Sequence, residues 1–410
     1  MRFRTSGRGC KMQKSQHKLF AAFAAVIFAG TLLAGCGEPQ ESSSAGAERS
    51  REDRIADSLV STGNTNRLNR VFEKAQNGED VTIAYVGGSI TEGYAAGAQS
   101  PDCYALLSAA EFESNYCAGG KVNCQNNGLS GTPSVLGFLR ADSEVLASEP
   151  DIVFIEFAVN DGQDAIYGTA YESLVRTCLE APNEPAVILL FTYMENGHTC
   201  QDVQQAIGEY YDLGMISVRD AIAGDLESGA MKWNEYGADD VHPSVEGHRL
   251  IADMVAHYFA EAKAKKPDKS YAVPEEGTQE GLFRNGRFCD ATNTLYRDGS
   301  WVAGSHNNHF RAGFVFQKEA ENEPLVMNVT GKSLFVVYKK FNDQAWGLAG
   351  VYVNDELAGI LNANGPNGWG GPQVDLIETY DSVQDLHVEI RMLDDQTEKS
   401  FEVLALGVCE

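Results

Sequence analysis

Two hydrophobic periods alternate along the first part of the chain. In residues 63–264, short apolar and β-branched runs predict buried strands at 81–86, 151–157, 186–192 and 215–218. Apolar residues recur at helical spacing over 68–75, 135–146, 165–179, 201–213 and 250–259. Residues 95–120 show no clear period, which predicts an insertion near the rim of the domain. Strands that alternate with helices predict an α/β domain with a parallel, doubly wound sheet.

The helical period ends near residue 262, and the charged stretch 263–270 predicts a linker. Short β-like runs follow at 325–329, 334–338, 349–353, 386–392 and 401–408. Asn354 and Asp355 between two of these runs indicate a hairpin turn. The pattern predicts that residues 271–410 form an all-β, jelly-roll-like sandwich.

The amino terminus has the pattern of an export signal. Six basic residues precede an apolar run over 19–32, which is too short for a spanning helix. The run ends in Leu33-Ala34-Gly35-Cys36, which resembles a bacterial lipobox. We therefore expect a signal peptide over 1–35, a lipid on Cys36 that anchors the protein at the cell surface, and a flexible tether over 36–62. The alternative is an ordinary signal peptide followed by a bystander cysteine.

The charge of the chain narrows the range of partners. The formal net charge is −26, and removal of the basic signal would make the chain more acidic. Such a protein should repel nucleic acid and anionic surfaces, so a neutral substrate is favoured. The alternative is that the acidity only keeps an exported protein soluble. The sequence does not indicate an oligomeric state.

Seven of the nine cysteines remain after Cys10 and Cys36 are set aside. No Cys-x-x-Cys spacing is present, so we expect no metal site. An exported chain can form disulfides, and we expect one between Cys289 and Cys409 because terminal strands of a sandwich often lie side by side. The pairing of the others stays open (Cys103, Cys117, Cys124, Cys178 and Cys200).

A serine follows the first predicted strand in the run Gly87-Gly88-Ser89. Glycines permit a sharp turn, and ligands bind at the carboxyl ends of strands in open α/β sheets. Ser89 becomes a nucleophile only if a base accepts its proton. His242 is the candidate base, and Asp239, three residues earlier, could orient its ring. Asp240 could take that role instead.

Two further stretches offer groups that could stabilise an oxyanion. The Gly-rich loop at 126–134 contains Gly131, whose backbone N–H could donate, although Gly128 competes for this role. Asn160 follows the apolar run at 152–157 and offers a side-chain amide. We expect the neighbouring Asp161 to order the loop and His248 to be structural.

In this order, the serine, glycine, asparagine and histidine blocks resemble the SGNH (GDSL-like) hydrolase superfamily over about residues 64–264. The Gly-Gly-Ser-Ile-Thr variant is similar to the carbohydrate-esterase branch. Two positions depart from the family pattern: Gly88 stands where many members have Asp, and Ala158 where many have Gly. The resemblance implies a three-layer, flavodoxin-like domain, and its Asp-x-x-His spacing selects Asp239.

The function that follows from this resemblance is a carbohydrate O-acetylesterase that needs no cofactor and acts on plant-type polysaccharides such as mannan or xylan. Ser89, Asp239 and His242 would form the triad, with the Ser89 N–H, Gly131 and Asn160 as oxyanion donors. The β domain would be a carbohydrate-binding domain that meets the catalytic edge and presents Trp369 from a Gly-rich loop. The alternatives are a lipase or lysophospholipase and a non-catalytic glycan-binding lipoprotein.

Overall fold

The computed structural model describes residues 49–318, 320–366 and 368–410. The predicted signal peptide, Cys36 and the first half of the predicted tether lie outside these residues. The first domain contains six strands: β1 (Leu59–Ser61), β2 (Val81–Gly87), β3 (Val122–Gly128), β4 (Ile152–Glu156), β5 (Ala186–Phe191) and β6 (Gly214–Ser217). Its helices are α1 (Arg51–Asp57), α2 (Asn66–Gln76), α3 (Ser89–Glu92), α4 (Tyr104–Tyr116), α5 (Ser134–Leu139), α6 (Ala165–Leu179), α7 (Gln201–Tyr210), α8 (Val218–Ser228) and α9 (Val245–Ala264).

The six strands form one sheet in the order β1-β6-β5-β4-β2-β3. All neighbouring strands run parallel except β1, which pairs antiparallel with β6. Buried apolar clusters cover both faces of this sheet. The predicted three-layer, flavodoxin-like α/β fold is confirmed. The strand order reverses between β2 and β4, and in open sheets this switch point is where ligands bind.

Parts of the first domain differ from the expectation. Residues 51–61, predicted as tether, form α1 and the edge strand β1. Ser50 and Asp53 form a capping box at the start of α1, and Arg54 pairs with the buried Asp225 of α8. The aperiodic stretch 95–120 contains the core helix α4, and the expected helix over 135–146 is divided into α5 and a wider π-helical turn at Ala141–Val145.

The second domain is all-β and antiparallel, as predicted. Its strands are β7 (Arg287–Cys289), β8 (Tyr296–Arg297), β9 (Trp301–Ala303), β10 (Phe314–Phe316), β11 (Leu325–Phe341), β12 (Leu348–Val353), β13 (Glu356–Asn362), β14 (Trp369–Met392) and β15 (Glu402–Cys409). The long strands β11 and β14 pair along most of their length and shift register at three points, which lets the sheet bend. Asn354 and Asp355, both with positive φ, form the expected turn between β12 and β13.

One face of the β domain packs directly on the first domain. Successive residues of β11 point to opposite faces, so that Leu334 and Val336 lie in the core of the β domain. Phe335 and Val337 instead join a core that includes α5 and α6. Removal of the β domain would therefore expose apolar surface that both domains share.

The connection between the domains is fixed to α6 by two charged side chains. Arg176 donates to the carbonyl oxygens of residues 274, 275 and 276. The Glu172 carboxylate accepts from the N–H and hydroxyl of Thr278 and from the N–H of Gln279. The second domain is therefore not a module on a free tether.

The predicted Cys289–Cys409 disulfide is wrong, although the two ends of the β domain do pair. Strand β7 lies beside β15, but the register places Cys289 opposite Leu406. Cys409 faces Ser333 of β11 instead. The two thiols are therefore three register positions apart, beyond the reach of a disulfide. All seven cysteines within the described residues are free.

None of the helices among the described residues combines the length and the apolar character needed to cross a membrane. No group of three or more His, Cys, Asp or Glu side chains among those residues is arranged to hold a metal ion.

Candidate active site

The candidate nucleophile lies at the switch point of the parallel sheet. Strand β2 ends at Gly87, and Ser89 begins the short helix α3 after a one-residue turn at Gly88. Ser89 is buried, and its Oγ lies 2.8 Å from Nε2 of His242. Residues that are 153 positions apart are thus in hydrogen-bond contact, with the geometry that nucleophile activation requires.

A closed loop before α9 carries the candidate base and its partner. His242 Nδ1 lies 2.9 Å from Oδ2 and 3.0 Å from Oδ1 of Asp239. Gly237 and Pro243 close the loop through an isolated bridge, and the Trp233 indole donates to the Asp239 carbonyl oxygen at 2.6 Å. The Asp239 carboxylate holds Nδ1, which leaves Nε2 to accept the proton of Ser89. Asp240, the alternative partner, makes no such contact.

The environment of Asp239 keeps its carboxylate ionised. Partial burial would raise the pKa of Asp239, but hydrogen bonds to the carboxylate outweigh this effect. The donors are the N–H and imidazole of His242 and the N–H of Val241. The net result is a pKa below the usual value, so the acid can stabilise an imidazolium formed during reaction.

The three candidate oxyanion donors lie around this turn. Gly131, with φ +68°, lies in a loop fixed by two bonds: Leu129 N–H to the Gly87 oxygen at 3.0 Å and Ser130 N–H to Glu92 at 2.9 Å. Neither the Ser89 nor the Gly131 N–H has a partner among the described residues. The competing Gly128 N–H already donates to Asn126 at 2.9 Å, which favours Gly131.

Asn160 lies directly beside the nucleophile turn. A Cβ at Gly88 would overlap its side-chain amide. This contact gives a physical reason for glycine at position 88. The Asn160 Oδ1 is buried without a partner, and its amide makes no hydrogen bond to the described residues. The Asn160 Nδ2 is therefore available to donate to an oxyanion, whereas Oδ1, an acceptor, cannot stabilise one.

A buried carboxylate that the sequence pattern does not assign to the site lies beneath this turn. Glu156, at the end of β4, is fully buried and accepts from the Thr91 hydroxyl at 2.8 Å and the Thr192 hydroxyl at 2.7 Å. Burial raises the pKa of Glu156 despite these bonds. The side chain ties helix α3 to the ends of β4 and β5. An acidic residue within an apolar strand run was the available signal.

Two residues expected to be structural lie beside the site. Asp161 is buried and accepts from the Ser134 N–H at 2.8 Å, which joins the Asn160 loop to the start of α5. Burial raises the pKa of Asp161 to about 7. His248 lies 3.1 Å from the carbonyl oxygen of Tyr94 and accepts from the Tyr104 N–H at 3.3 Å. Tyr94, also missed, places its half-exposed ring 4.1 Å from that of His242.

Trp369 of the β domain lies against the oxyanion loop. A Cβ built at Gly131 would lie 2.5 Å from Cζ2 and 2.8 Å from Nε1 of its indole. The Trp369 side chain is nevertheless 58% exposed. The second domain therefore meets the catalytic edge with an accessible aromatic ring. The other two tryptophans of this domain are less exposed: Trp301 is in the core, and Trp346 is only partly exposed.

Comparisons with known proteins agree with this architecture. The sequence model of the GDSL-like Lipase/Acylhydrolase family matches residues 85–250. No curated protein matches the sequence. Among solved structures, the chain is similar to a two-domain esterase (CEX) active on acetylated mannans, with 24% identity over 87% of this chain and 98% of that chain. The TM-score is 0.80 for that esterase and 0.79 for its co-crystal with mannopentaose.

A further match is an acetylxylan esterase from Geobacillus stearothermophilus, with 20% identity over 45% of this chain and 96% of that chain. Its TM-score of 0.37 is too low to support a structural argument. The two-domain match shows a shared fold over both domains. The family model thus spans the candidate triad from Ser89 to His242, and the β domain follows it along the chain.

Proposed function

We propose that this protein is an esterase that removes O-acetyl groups from plant-type polysaccharides or oligosaccharides, mannan or xylan. The observation that carries the proposal is the contact between the exposed Trp369 indole and Gly131, which brings an aromatic surface of the second domain to the edge of the triad. Aromatic rings offer a flat apolar face on which a sugar ring can stack. The activity described for the similar two-domain esterase, on acetylated mannans, supports the same substrate class.

The geometry allows a two-step reaction. His242 Nε2 takes the proton of Ser89 as Oγ attacks the acetyl carbonyl carbon, and the oxyanion is held by the N–H groups of Ser89 and Gly131 and the amide of Asn160. The imidazolium then protonates the departing sugar oxygen, which leaves an acetyl ester on Ser89. Water, deprotonated by His242, attacks this ester and releases acetate and free enzyme.

The substrate class can be tested with a panel of esters. We expect release of acetate from acetylated manno- or xylo-oligosaccharides, and faster hydrolysis of p-nitrophenyl acetate than of the octanoate ester. Trp369→Ala should reduce turnover of the oligosaccharides more than turnover of p-nitrophenyl acetate, while Leu357→Ala, at an exposed position of the same domain, should change neither. A preference for the octanoate would favour a lipase, and hydrolysis of no ester would favour a glycan-binding protein.

We also propose that the mature protein is anchored to a membrane through a lipid on Cys36. The apolar run that ends in Leu33-Ala34-Gly35-Cys36 supports this location. Metabolic labelling with a radioactive fatty acid should mark the protein expressed in bacteria. Cys36→Ser should abolish the label, and a labelled variant would refute the assignment.

A further inference from the structure

We propose that a second sugar-binding site lies in the β domain, in a cleft formed by Glu402, His306, Lys339 and Trp346, and that it holds a neutral pyranose unit of the same glycan chain whose acetyl group is at Ser89. The proposal rests on the proposed function and names a subsite for it. The cleft has a volume of about 570 Å³, which is large enough for a sugar ring. We call it the Trp346 cleft.

One wall of the cleft is a buried, ionised acid. The Glu402 side chain is 5% exposed, and its Oε1 lies 2.7 Å from Nδ1 of His306. Burial would raise the pKa of Glu402, but hydrogen bonds from the His306 ring and N–H and the charge of Lys339 hold it below the usual value. Carboxylates make strong hydrogen bonds to hydroxyl groups. An acid kept ionised beside an open cleft is suited to accept from sugar hydroxyls.

A cation and an aromatic ring complete the cleft. Lys339 Nζ lies 3.6 Å from Glu402 Oε1 and 5.3 Å from the centroid of the Trp346 ring. The ammonium therefore stands between an acceptor and an aromatic face, where it can donate to a ring or hydroxyl oxygen. Because Lys339 and Glu402 compensate each other's charge, the pair favours a neutral sugar over a charged one.

Contacts connect the cleft to the active site. Trp346 is stacked on Phe341, with ring centroids 6.1 Å apart and planes 15° apart. Phe341 is the register partner of Trp369 across β11 and β14. Trp369 in turn contacts Gly131 of the oxyanion loop. A row of three aromatic side chains thus leads from the candidate oxyanion site to the Trp346 cleft, as a binding surface for an extended chain would require.

Binding of unacetylated oligosaccharides tests the cleft without turnover. Wild-type protein is titrated calorimetrically with mannohexaose and with xylohexaose, and at least one should bind with a stoichiometry of one. Trp346→Ala and Lys339→Ala should each weaken that binding by about tenfold. Trp346→Phe, which keeps a flat ring, should restore most of the affinity. Leu295→Ala, at a position 86% exposed in the same domain, serves as the matched control and should have no effect.

The outcomes separate this inference from the proposed function. Unchanged affinity in both Trp346→Ala and Lys339→Ala, with melting temperatures that show intact folding, would overturn the cleft but leave the esterase proposal standing. Absence of binding by either hexasaccharide would also overturn it. If instead the variants weaken binding while the wild type releases no acetate from any acetylated oligosaccharide, the cleft is supported and the proposed substrate is wrong.

Discussion

The catalytic edge and the β domain place their functional groups in different ways. At the catalytic edge, each group follows a parallel strand or sits in one short loop, as with Ser89 after β2, Asn160 after β4 and the Asp239–His242 pair. In the β domain, Trp369 reaches the site only because a whole sheet face packs on α5 and α6. The candidate catalytic side chains are thus positioned by short turns after strands, whereas Trp369 is positioned by packing between the domains.

This difference changes how the second domain can be studied. Deletion of the β domain would expose the apolar surface against which Phe335, Val337 and Leu404 pack. Loss of activity after such a deletion would report on folding as much as on substrate binding. Point substitutions at exposed positions separate the two effects, and matched substitutions at the interface measure the packing itself.

The largest effect should come from the local chemistry. Ser89→Ala and His242→Ala should each reduce kcat on p-nitrophenyl acetate at least about a thousandfold, because each removes one partner of the 2.8 Å hydrogen bond. Asp239→Asn should reduce kcat less than His242→Ala does if the carboxylate mainly orients the imidazole ring. Initial rates of purified protein with wild-type melting temperature provide the measurement. Near-wild-type turnover by Ser89→Ala would eliminate the mechanism.

The next largest effect should come from the loss of packing between the two domains. Phe335 is fully buried, and its ring lies 5.3 Å from that of Phe283. Phe335→Ala should lower the free energy of unfolding by about 3–5 kcal/mol. Leu357→Ala, an exposed substitution in the same domain, should change it by less than about 0.5 kcal/mol. Denaturant unfolding that shows two well-separated transitions in the wild type would instead mean that the domains fold independently.

Asn160→Ala tests whether the amide acts on the transition state. It should lower kcat by roughly a hundredfold, about 3 kcal/mol, with little change in KM, because the oxyanion carries charge only as the reaction proceeds. The fit of this amide beside Gly88 means that the substitution leaves space without creating a clash. A rise in KM with unchanged kcat would make Asn160 a substrate-binding residue.

Much of the α/β domain could be predicted because its signals are local. The apolar runs gave β2, β4, β5 and β6 within a residue or two, and α6 with the same bounds. Strand β3 was missed because its sequence, Val-Asn-Cys-Gln-Asn-Asn-Gly, is polar and its residues are only partly buried. Residues 51–61 were missed because the stability of α1 depends on ion pairs to α8, including Arg54 with Asp225. No periodicity within the segment encodes that contact.

The candidate site was likewise predictable only where its signals lie in short stretches of sequence. Glycine blocks and the Asp-x-x-His spacing selected residues that the structure brings together. The sequence pattern does not indicate Glu92, Glu156 or Tyr94. Their roles depend on which loops meet in the fold, not on their neighbours in the chain. The disulfide prediction failed for a related reason. Adjacency of β7 and β15 was foreseeable, but their register was set by side-chain packing that the sequence pattern does not reveal.

Gly131 and Trp369 allow a direct measurement of coupling between the two regions. Gly131→Ala forces a non-glycine residue to φ +68° and places its Cβ 2.5 Å from the indole, so kcat/KM on p-nitrophenyl acetate should fall by about tenfold. In a Trp369→Ala background the overlap with the indole disappears. The loss in kcat/KM that Gly131→Ala causes should then be smaller by about 1 kcal/mol.

Gly229→Ala is the matched control for this cycle, since Gly229 has φ +76° but nothing within 4 Å of a built Cβ. It should lower stability through backbone strain alone and show no coupling to Trp369→Ala. Additive effects of Gly131→Ala and Trp369→Ala would mean that the indole and the oxyanion loop do not act on each other.

The smallest expected effect concerns Asp161, which joins the Asn160 loop to α5. Burial raises its pKa to about 7, so between about pH 4 and pH 7 the folded protein holds a proton that the unfolded chain lacks. The free energy of unfolding contributed by Asp161 therefore falls as pH rises through this window and levels off above it. Asp161→Asn has no proton to lose. Gln204 Nε2 donates to Asp161 Oδ2 at 3.1 Å, so the Gln204 side-chain amide must turn over for its unpartnered Oε1 to accept from the new Asn.

Relative to the wild type, Asp161→Asn should gain stability as the pH rises from 4.5 to 7.5, which would appear as a rise in its Tm relative to that of the wild type. Differential scanning calorimetry at both pH values measures the difference. Asp381→Asn, at an exposed position, provides the control and should show no such gain. The Asn side chain still offers an oxygen to the Ser134 N–H, so the loop connection is kept. A variant that loses stability more steeply than the wild type as pH rises would show that ionised Asp161 stabilises the loop, contrary to the effect of its burial.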